Sequence, residues 1–206
     1  MRRNTWNGLD AKKAANKDDN KLAGLDRLNR LNTIIMQKQH SKLHEMQWAI
    51  TDEESDMILT IDKKPYGVKD TLFGSFFKVV YNGLEQPVLQ MKREASYLKQ
   101  APCTIMSPNG DVIGYVEVKE GMLGYSFRIK NEEKTTLFHI RRSMGLGGDV
   151  KYKVKNNKKE TVGTIMRKWE GLIRRQWVAF QVNFPKNLDV KMKCIILAAV
   201  LVINKY

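Results

Sequence analysis

The C-terminal segment of this chain constrains its fold more than any other. Residues 194–203 form an uninterrupted apolar run that ends at Asn204. A helix that is apolar on every face lies either in a protein core or in a membrane. The run has about half of the ~20 residues needed to cross a bilayer, so its length favours burial inside a domain. The residues that we expect to pack in the core or insert in lipid are Cys194, Ile195, Ile196, Leu197, Val200, Leu201 and Ile203.

The start of this helix is predicted from the residues before the apolar run. Asn187 is predicted as the N-cap, with Asp189 in the first turn, where the helix dipole favours a negative charge. The sequence thus predicts a helix over residues 187–204.

The preceding region has the pattern of an antiparallel β protein. Short runs rich in β-branched and aromatic residues recur every 8 to 15 residues between residues 51 and 187 and are separated by turn residues. Asn109-Gly110, between Cys103–Met106 and Val112–Val118, is the strongest hairpin pattern. Helices that could connect parallel strands are missing. The pattern favours an antiparallel barrel or sandwich, and the terminal helix is expected inside it. We assign this domain to residues 51–206.

The N-terminal region is predicted to have two parts. Residues 1–20 are polar and are expected to form a flexible arm. Over residues 21–50 leucines recur at spacings of three and four, at Leu22, Leu25, Leu28 and Leu31, followed by Ile35. This pattern predicts an amphipathic helical extension that packs on the domain, docks on a protein assembly or lies on a membrane surface.

The positive net charge of the chain indicates which classes of partner it attracts. The formal net charge is +14, which attracts anionic lipid, nucleic acid or acidic proteins. Positive charge is concentrated between residues 141 and 175, and Gly145–Gly148 is expected to be a long turn rather than a phosphate loop. The residues predicted to contact anionic headgroups or another polyanion are Lys151, Lys153, Lys155, Lys158, Lys159, Arg174 and Arg175.

Catalytic and metal-binding patterns are weak. The two cysteines, Cys103 and Cys194, have no CxxC spacing and no histidine cluster, which fits a reducing compartment. No Ser/His/Asp, Cys/His or paired-carboxylate arrangement stands out. The sequence therefore favours a binding or transport protein over an enzyme and implies no certain cofactor.

Three segments, in order, resemble the phospholipid scramblases. They are Ile113-Gly114-Tyr115-Val116 at the end of residues 107–116, the Val162-Gly163-Thr164-Ile165 segment with Trp169, and Phe184-Pro185 leading through Asp189 into the apolar run. The resemblance covers residues 56–206. It implies a closed tubby-like barrel around a central helix, a fold shared with LURP-one-related proteins. It also implies ATP-independent, bidirectional movement of phospholipids at the cytosolic face of a plasma or mitochondrial membrane.

The chain departs from that family at two functional features. The acidic, calcium-binding segment that precedes Phe-Pro in the family has Gln176 and Val178 at acidic positions, and Asn187 stands at another. Only Asp189 remains, so the resemblance implies calcium at Asp189 and Asn187 alone, whereas calcium takes six to eight oxygens. The acylated cysteine-rich stretch is absent, and Cys103 is the remaining candidate for lipid attachment.

Two functions stay open from the sequence. The first is a divergent phospholipid scramblase whose calcium dependence is doubtful. The second is a non-transporting, basic scaffold that binds anionic lipid, nucleic acid or a protein assembly through residues 21–50.

Overall fold

The fold is a closed antiparallel barrel with a helix in its interior. The computed structural model describes residues 25–39, 47–63, 76–94, 101–122, 124–143, 150–169 and 178–205. Within these ranges it contains twelve strands in one closed sheet and two helices. This confirms the predicted class of fold and the place of the C-terminal helix.

The two helices and twelve strands are numbered here in chain order. A short helix, α1 (Asp26–Arg30), precedes the first strand, and a longer one, α2 (Val190–Ile203), ends the described chain. The strands are β1 (Thr33–Gln39), β2 (Gln47–Thr51), β3 (Met57–Lys63), β4 (Phe76–Asn82), β5 (Pro87–Arg93), β6 (Cys103–Met106), β7 (Val112–Gly121), β8 (Gly124–Asn131), β9 (Thr136–Ser143), β10 (Val150–Lys155), β11 (Thr161–Trp169) and β12 (Val178–Asn183).

The topology is the simplest that closes a sheet. Each strand pairs antiparallel with the next in sequence, and β1 pairs with β12 to complete the ring. Thr33 lies opposite Asn183 at this closure, and Gln37 lies opposite Ala179. Closure leaves no strand edge to pair with another chain.

The barrel core is built from the inward side of each strand and all sides of α2. Residues alternate in strands between the two faces of a sheet, so every second residue points at the helix. In β10, for example, Tyr152 and Val154 are buried while Lys151 and Lys153 are exposed. Every residue of α2 from Met192 to Ile203 is buried. From Cys194 to Ile203 the helix is apolar on all faces, as expected for a helix that strands surround.

The predicted helical extension over residues 21–50 is wrong for most of the part that the structure describes. Only Asp26–Arg30 is helical, while Thr33–Gln39 and Gln47–Thr51 are strands of the barrel. Leu25 and Leu28 are buried on one turn of helix, but Ile34 and Met36 are then buried at a spacing of two. The helical spacing of Leu25, Leu28 and Leu31 extends to Ile35, although the backbone becomes a strand at Thr33. The barrel therefore begins at β1, and the arm at residues 1–20 lies outside the described residues.

The N-cap of α2 is two residues later than expected. Asp189 has extended backbone angles and its carboxylate accepts a hydrogen bond from the backbone N–H of Met192 at 2.9 Å, the geometry of an N-cap. Asn187 has a φ of 56°, a left-handed conformation that asparagine tolerates better than most residues. It therefore belongs to the turn that leads into the helix.

Candidate functional site

The central feature of the molecule is the enclosed helix α2. The apolar residues selected from the sequence lie inside the barrel with at most 3 % of their surface exposed. They are Cys194, Ile195, Ile196, Leu197, Val200, Leu201 and Ile203. In this structure the apolar side chains of α2 are surrounded by the rest of the protein on all sides. Among the described residues, the structure contains no helix with the length and hydropathy to span a membrane.

Two glycines explain how closely the barrel surrounds the helix and its lead-in. A Cβ on Gly114 would lie 2.5 Å from Ile195 Cδ1 and 2.5 Å from the Lys130 carbonyl oxygen. A Cβ on Gly163 would lie 2.7 Å from the carbonyl oxygen of Asn183 and 3.1 Å from Pro185. Only glycine fits at such approaches. The sequence motifs contained both glycines, but their spatial partners could not be read from spacing.

Lys193 forms the connection between α2 and α1. Its side chain is buried, and its ammonium group donates hydrogen bonds to the backbone carbonyls of Asn29 at 2.6 Å, Leu31 at 2.7 Å and Leu28 at 3.3 Å. These carbonyls lie in and just after the last turn of α1, and that of Leu28 also accepts a backbone hydrogen bond, from the N–H of Leu31 at 3.3 Å. Burial lowers the pKa of Lys193, and the nearby Asp189 carboxylate partly opposes this change.

The predicted polyanion contacts fall into separate groups. Lys151 and Lys153 are exposed on the outer face of β10, and Lys153 pairs in register with Arg141 of β9. Lys155 is half-buried at the far end of the strand. Lys158 and Lys159 are exposed in the β10–β11 turn, whereas Arg174, Arg175 and the Gly145–Gly148 segment lie outside the described residues.

The strand register adds cations that the linear sequence did not group with this strand. Arg128 of β8 lies opposite His139 of β9, and His139 lies opposite Lys155 of β10. Burial lowers the pKa of His139, and the positive charges of Arg128 and Arg141 lower it further. The outer face of β8, β9 and β10 is therefore a continuous basic strip.

The two residues expected to bind calcium, Asp189 and Asn187, lie at the start of α2 and in the turn before it. The Asp189 carboxylate is engaged as the helix N-cap through Met192, and Asn187 lies in the preceding turn. One carboxylate and one amide supply too few oxygens for calcium. Gln176 lies outside the described residues, and the side chain of Val178 is likewise outside them.

A second acidic group, not selected from the sequence, lies at the β2–β3 turn. Carboxylate oxygens of Asp52, Glu54 and Asp56 lie within 4.8 Å of one another. The guanidinium of Arg27 donates to Asp52 at 2.7 Å and to Asp56 at 2.8 Å, so an internal cation already occupies this group. Burial alone would raise the pKa of Asp52, but hydrogen bonds from the backbone N–H of Asp56 and from Arg27 hold that pKa below its ordinary value.

Cys103, the candidate for lipid attachment, points into the barrel. Its side chain is 1 % exposed, and burial raises the pKa of its thiol to about 12, against the opposing effect of Arg93, Lys205 and Lys78. The thiol is thus held protonated and away from the surface.

The chain is similar to proteins of known family. A family model described as Scramblase matches residues 15–206. Phospholipid scramblase 4 of Mus musculus is 26% identical, with 88% of this chain and 63% of the relative covered, and phospholipid scramblase 4 of Homo sapiens is 28% identical, with 88% and 62% covered. The chain thus spans less than two thirds of the length of these relatives. A protein of Arabidopsis thaliana with an X-ray structure aligns with a TM-score of 0.47 at 13% identity, covering 84% of this chain and 91% of that one.

Proposed function

Because this chain belongs to the scramblase family, we propose that it moves phospholipids between the two leaflets of a membrane, without ATP and in both directions. We place this activity at the cytosolic face of a plasma or mitochondrial membrane. Family membership supports a role in lipid movement rather than catalysis. This chain spans less than two thirds of the length of the relatives named phospholipid scramblase 4. That it carries out lipid movement as they are named to do is therefore part of the proposal.

One structural observation carries the proposal. The three segments that resemble the scramblases converge on the entry of α2 into the barrel. Gly114 of the first segment approaches Ile195 of α2, and Gly163 of the second approaches Pro185 of the third. Gly114 and Ile195 are 81 residues apart in sequence and Gly163 and Pro185 are 22 apart, so the first and second segments both pack against the third. The three segments that resemble the family are therefore also connected by packing contacts in the fold.

The surface supplies an attraction for anionic membranes. The chain has a net charge of +14, and the exposed Lys151 and Lys153 lie beside Arg141 on one outer face. A basic residue near an anionic membrane surface contributes about 1 kcal/mol. We include this strip among the headgroup contacts.

We further propose that lipid movement by this protein does not depend on calcium. The support is the small number of oxygen ligands that these residues offer to calcium. The Asp189 carboxylate accepts a hydrogen bond from the backbone N–H of Met192, and Asn187 adds a single amide oxygen. A calcium switch needs more charged oxygens than this segment provides.

The decisive experiment is dithionite quenching of fluorescent phospholipids in liposomes that contain the full chain. Dithionite reaches only the outer leaflet, so protein-dependent quenching well beyond half of the signal would demonstrate lipid movement. We expect the same extent with calcium or with a chelator. Quenching that stops near half, in vesicles shown to carry the protein, would overturn the transport proposal.

A second function, a non-transporting basic scaffold, is favoured by the enclosure of α2. From Met192 to Ile203 the helix is covered by protein and offers no apolar surface to lipid. Such a protein would bind anionic vesicles or nucleic acid without moving lipid. Equal, salt-sensitive binding to RNA and to anionic vesicles, together with quenching that stops near half, would favour this function.

A further inference from the structure

The hairpin of β7 and β8 extends beyond the strands on either side of it. The last residue of β7 that pairs with β6 is Val116, and the first residue of β8 that pairs with β9 is Ser126. β7 and β8 continue to pair with each other as far as Gly121 and Gly124. Among the described residues, the end of this hairpin therefore pairs with no other strand and forms a two-stranded ribbon. We call residues 120–122 together with 124–125 the hairpin tip.

The hairpin tip carries exposed apolar side chains. Met122 is fully exposed and Tyr125 is 36 % exposed, while Leu123, next to Met122 in sequence, lies outside the described residues. Large apolar side chains at the end of a projecting ribbon gain free energy when a partner removes them from water. At about 3.4 Å per residue, the ribbon from Glu120 to Met122 extends roughly 10 Å, close to the roughly 5–10 Å to which amphipathic helices bury their apolar faces at a bilayer surface.

A row of cations crosses the sheet at the base of the hairpin tip. Lys119 of β7 lies opposite Ser126 of β8. Ser126 lies opposite Arg141 of β9, which in turn lies opposite Lys153 of β10. Residues in one register row share a face of the sheet, here the outer face. The three cations are exposed, and so is Lys151, two residues nearer the same end of the barrel, so the tip projects from the edge of the basic strip.

Two acidic residues of β7 flank this row. Glu117 forms an ion pair with Lys130 at 2.6 Å. Glu120 is exposed in the hairpin tip, where it lies opposite Tyr125 in register. Glu120 offsets one of the four cations, so a net positive charge remains on the outer face beside the tip. Such a face attracts the anionic headgroups of a membrane.

Exposed apolar residues at the opposite end of the barrel have acidic surroundings. Leu84, in the turn between β4 and β5, is 78 % exposed, and Met57, at the start of β3, is 55 % exposed. Glu85 follows Leu84, and Glu53 and Glu54 are exposed in the turn between β2 and β3. Carboxylates are repelled by an anionic surface. Charge therefore distinguishes the two ends and favours the β7–β8 tip as the end that meets anionic lipid.

We propose that the hairpin tip is a membrane-insertion element, which places Met122 in the interface of an anionic lipid bilayer while the basic strip contacts the headgroups. Charge brings the barrel to the surface, and burial of the apolar side chain holds it there. The end of the barrel that bears the tip then faces the membrane, and the turns that contain Leu84 and Glu54 face away from it. Insertion does not require lipid movement, so this inference is separate from the activity proposed above.

The test attaches an environment-sensitive fluorophore to one end of the barrel or the other. Met122→Cys and Leu84→Cys each introduce an exposed thiol for labelling, whereas Cys103 and Cys194 are buried. The labelled full chain is mixed with phosphatidylcholine vesicles that contain or lack phosphatidylserine, and with the same vesicles carrying nitroxide quenchers on their acyl chains. Sedimentation reports binding, circular dichroism checks the fold, and the unsubstituted protein taken through the same labelling gives the background.

We expect the emission of the probe at position 122 to shift to the blue on vesicles that contain phosphatidylserine, and the nitroxides to quench it. The probe at position 84 should change in neither respect. In unlabelled protein, Met122→Ser should weaken binding to these vesicles about three- to tenfold, because an apolar side chain no longer leaves water. Leu84→Ser should bind as the unchanged protein does.

Three outcomes would overturn the proposal. They are a chain that does not bind these vesicles, a probe at position 122 that stays unchanged on vesicles that carry the protein, and a probe at position 84 that responds as strongly as the one at position 122. The readouts do not depend on dithionite quenching. A tip that inserts into vesicles without lipid movement would sustain this inference and contradict transport, and lipid movement with an unchanged probe at position 122 would do the reverse.

Discussion

Single residues hold the strands and the helix in position, and Gly114 is the sharpest case. The Ile-Gly-Tyr-Val segment was noticed as a sequence motif, but its physical role is the approach of β7 to Ile195. The backbone oxygen of Lys130 on the other side leaves little room for adjustment. The motif therefore reports a packing requirement of the barrel.

We expect Gly114→Ala to lower the free energy of unfolding by about 1–3 kcal/mol, because overpacking forces displacement of neighbouring atoms. Urea denaturation measures this change. Gly83→Ala is the matched control, since no atom lies within 4 Å of the Cβ that it would introduce. Equal stability of the two variants would contradict the account of the close approach.

Lys193 is a buried cation whose partners are backbone carbonyls. Lys193→Met keeps the apolar stem but removes the donor to Leu28, Asn29 and Leu31. We expect a loss of about 1–3 kcal/mol in unfolding free energy, since the carbonyls of Asn29 and Leu31 would lose this donor. Faster proteolysis near α1 should accompany it. The exposed Lys186→Met should change neither measurement, and an unaffected Lys193→Met would show that α1 is held by other contacts.

Asp52 predicts a dependence of stability on pH. Burial raises its pKa, but the hydrogen bonds from Asp56 and Arg27 outweigh this and lower the folded-state pKa below 3.8. The ionised form thus stabilises the fold above the unfolded-state pKa, and this contribution is lost as the pH falls through the folded-state pKa. The difference in unfolding free energy between the unchanged protein and Asp52→Asn should be largest at neutral pH and shrink below pH 3.8. A pH-independent difference would contradict this assignment.

At the scale of elements, the strands were largely predictable and the N-terminal region was not. The hairpin at Asn109-Gly110 has a turn pattern that can be read locally. The alternation of apolar and basic residues over 150–155 is typical of a strand with one buried and one solvent-exposed face. Residues 33–39 contain apolar neighbours that fit either period, and their strand state depends on pairing with β12, more than a hundred residues away. Local patterns cannot report such a partner.

The helix α2 gives a prediction about its thiol. Cys194 and Cys103 are each 1 % exposed, and burial raises the pKa of each thiol to about 12. We expect neither thiol to react with maleimide at neutral pH until the protein is unfolded. Variants that keep one cysteine, Cys103→Ser or Cys194→Ala, separate the two signals.

The same labelling tests whether α2 stays enclosed on a membrane. Protection of Cys194 in the presence of anionic vesicles is the expected result for a closed barrel. Labelling of Cys194 but not Cys103 in vesicles, without unfolding, would show that the helix leaves the barrel there.

At the scale of the whole molecule, we expect charge rather than apolar surface to govern its first encounter with a membrane. With a net charge of +14, binding to anionic vesicles should weaken as salt is raised, because the screening length is about 8 Å at physiological ionic strength. Sedimentation with vesicles at increasing sodium chloride measures this, and vesicles of neutral lipid are the control. Binding that is insensitive to salt would indicate apolar insertion instead.

Pairing of β1 with β12 has a consequence for how the chain folds. Thr33 and Asn183 are partners across 150 residues, and a contact of such sequence separation carries a large loop-closure entropy. Adjacent hairpins can form as soon as their residues are available, whereas the ring closes only when both of these strands are in place. Ring closure is therefore expected to limit the folding rate, and the helix must enter before or as the final seam of the sheet is formed.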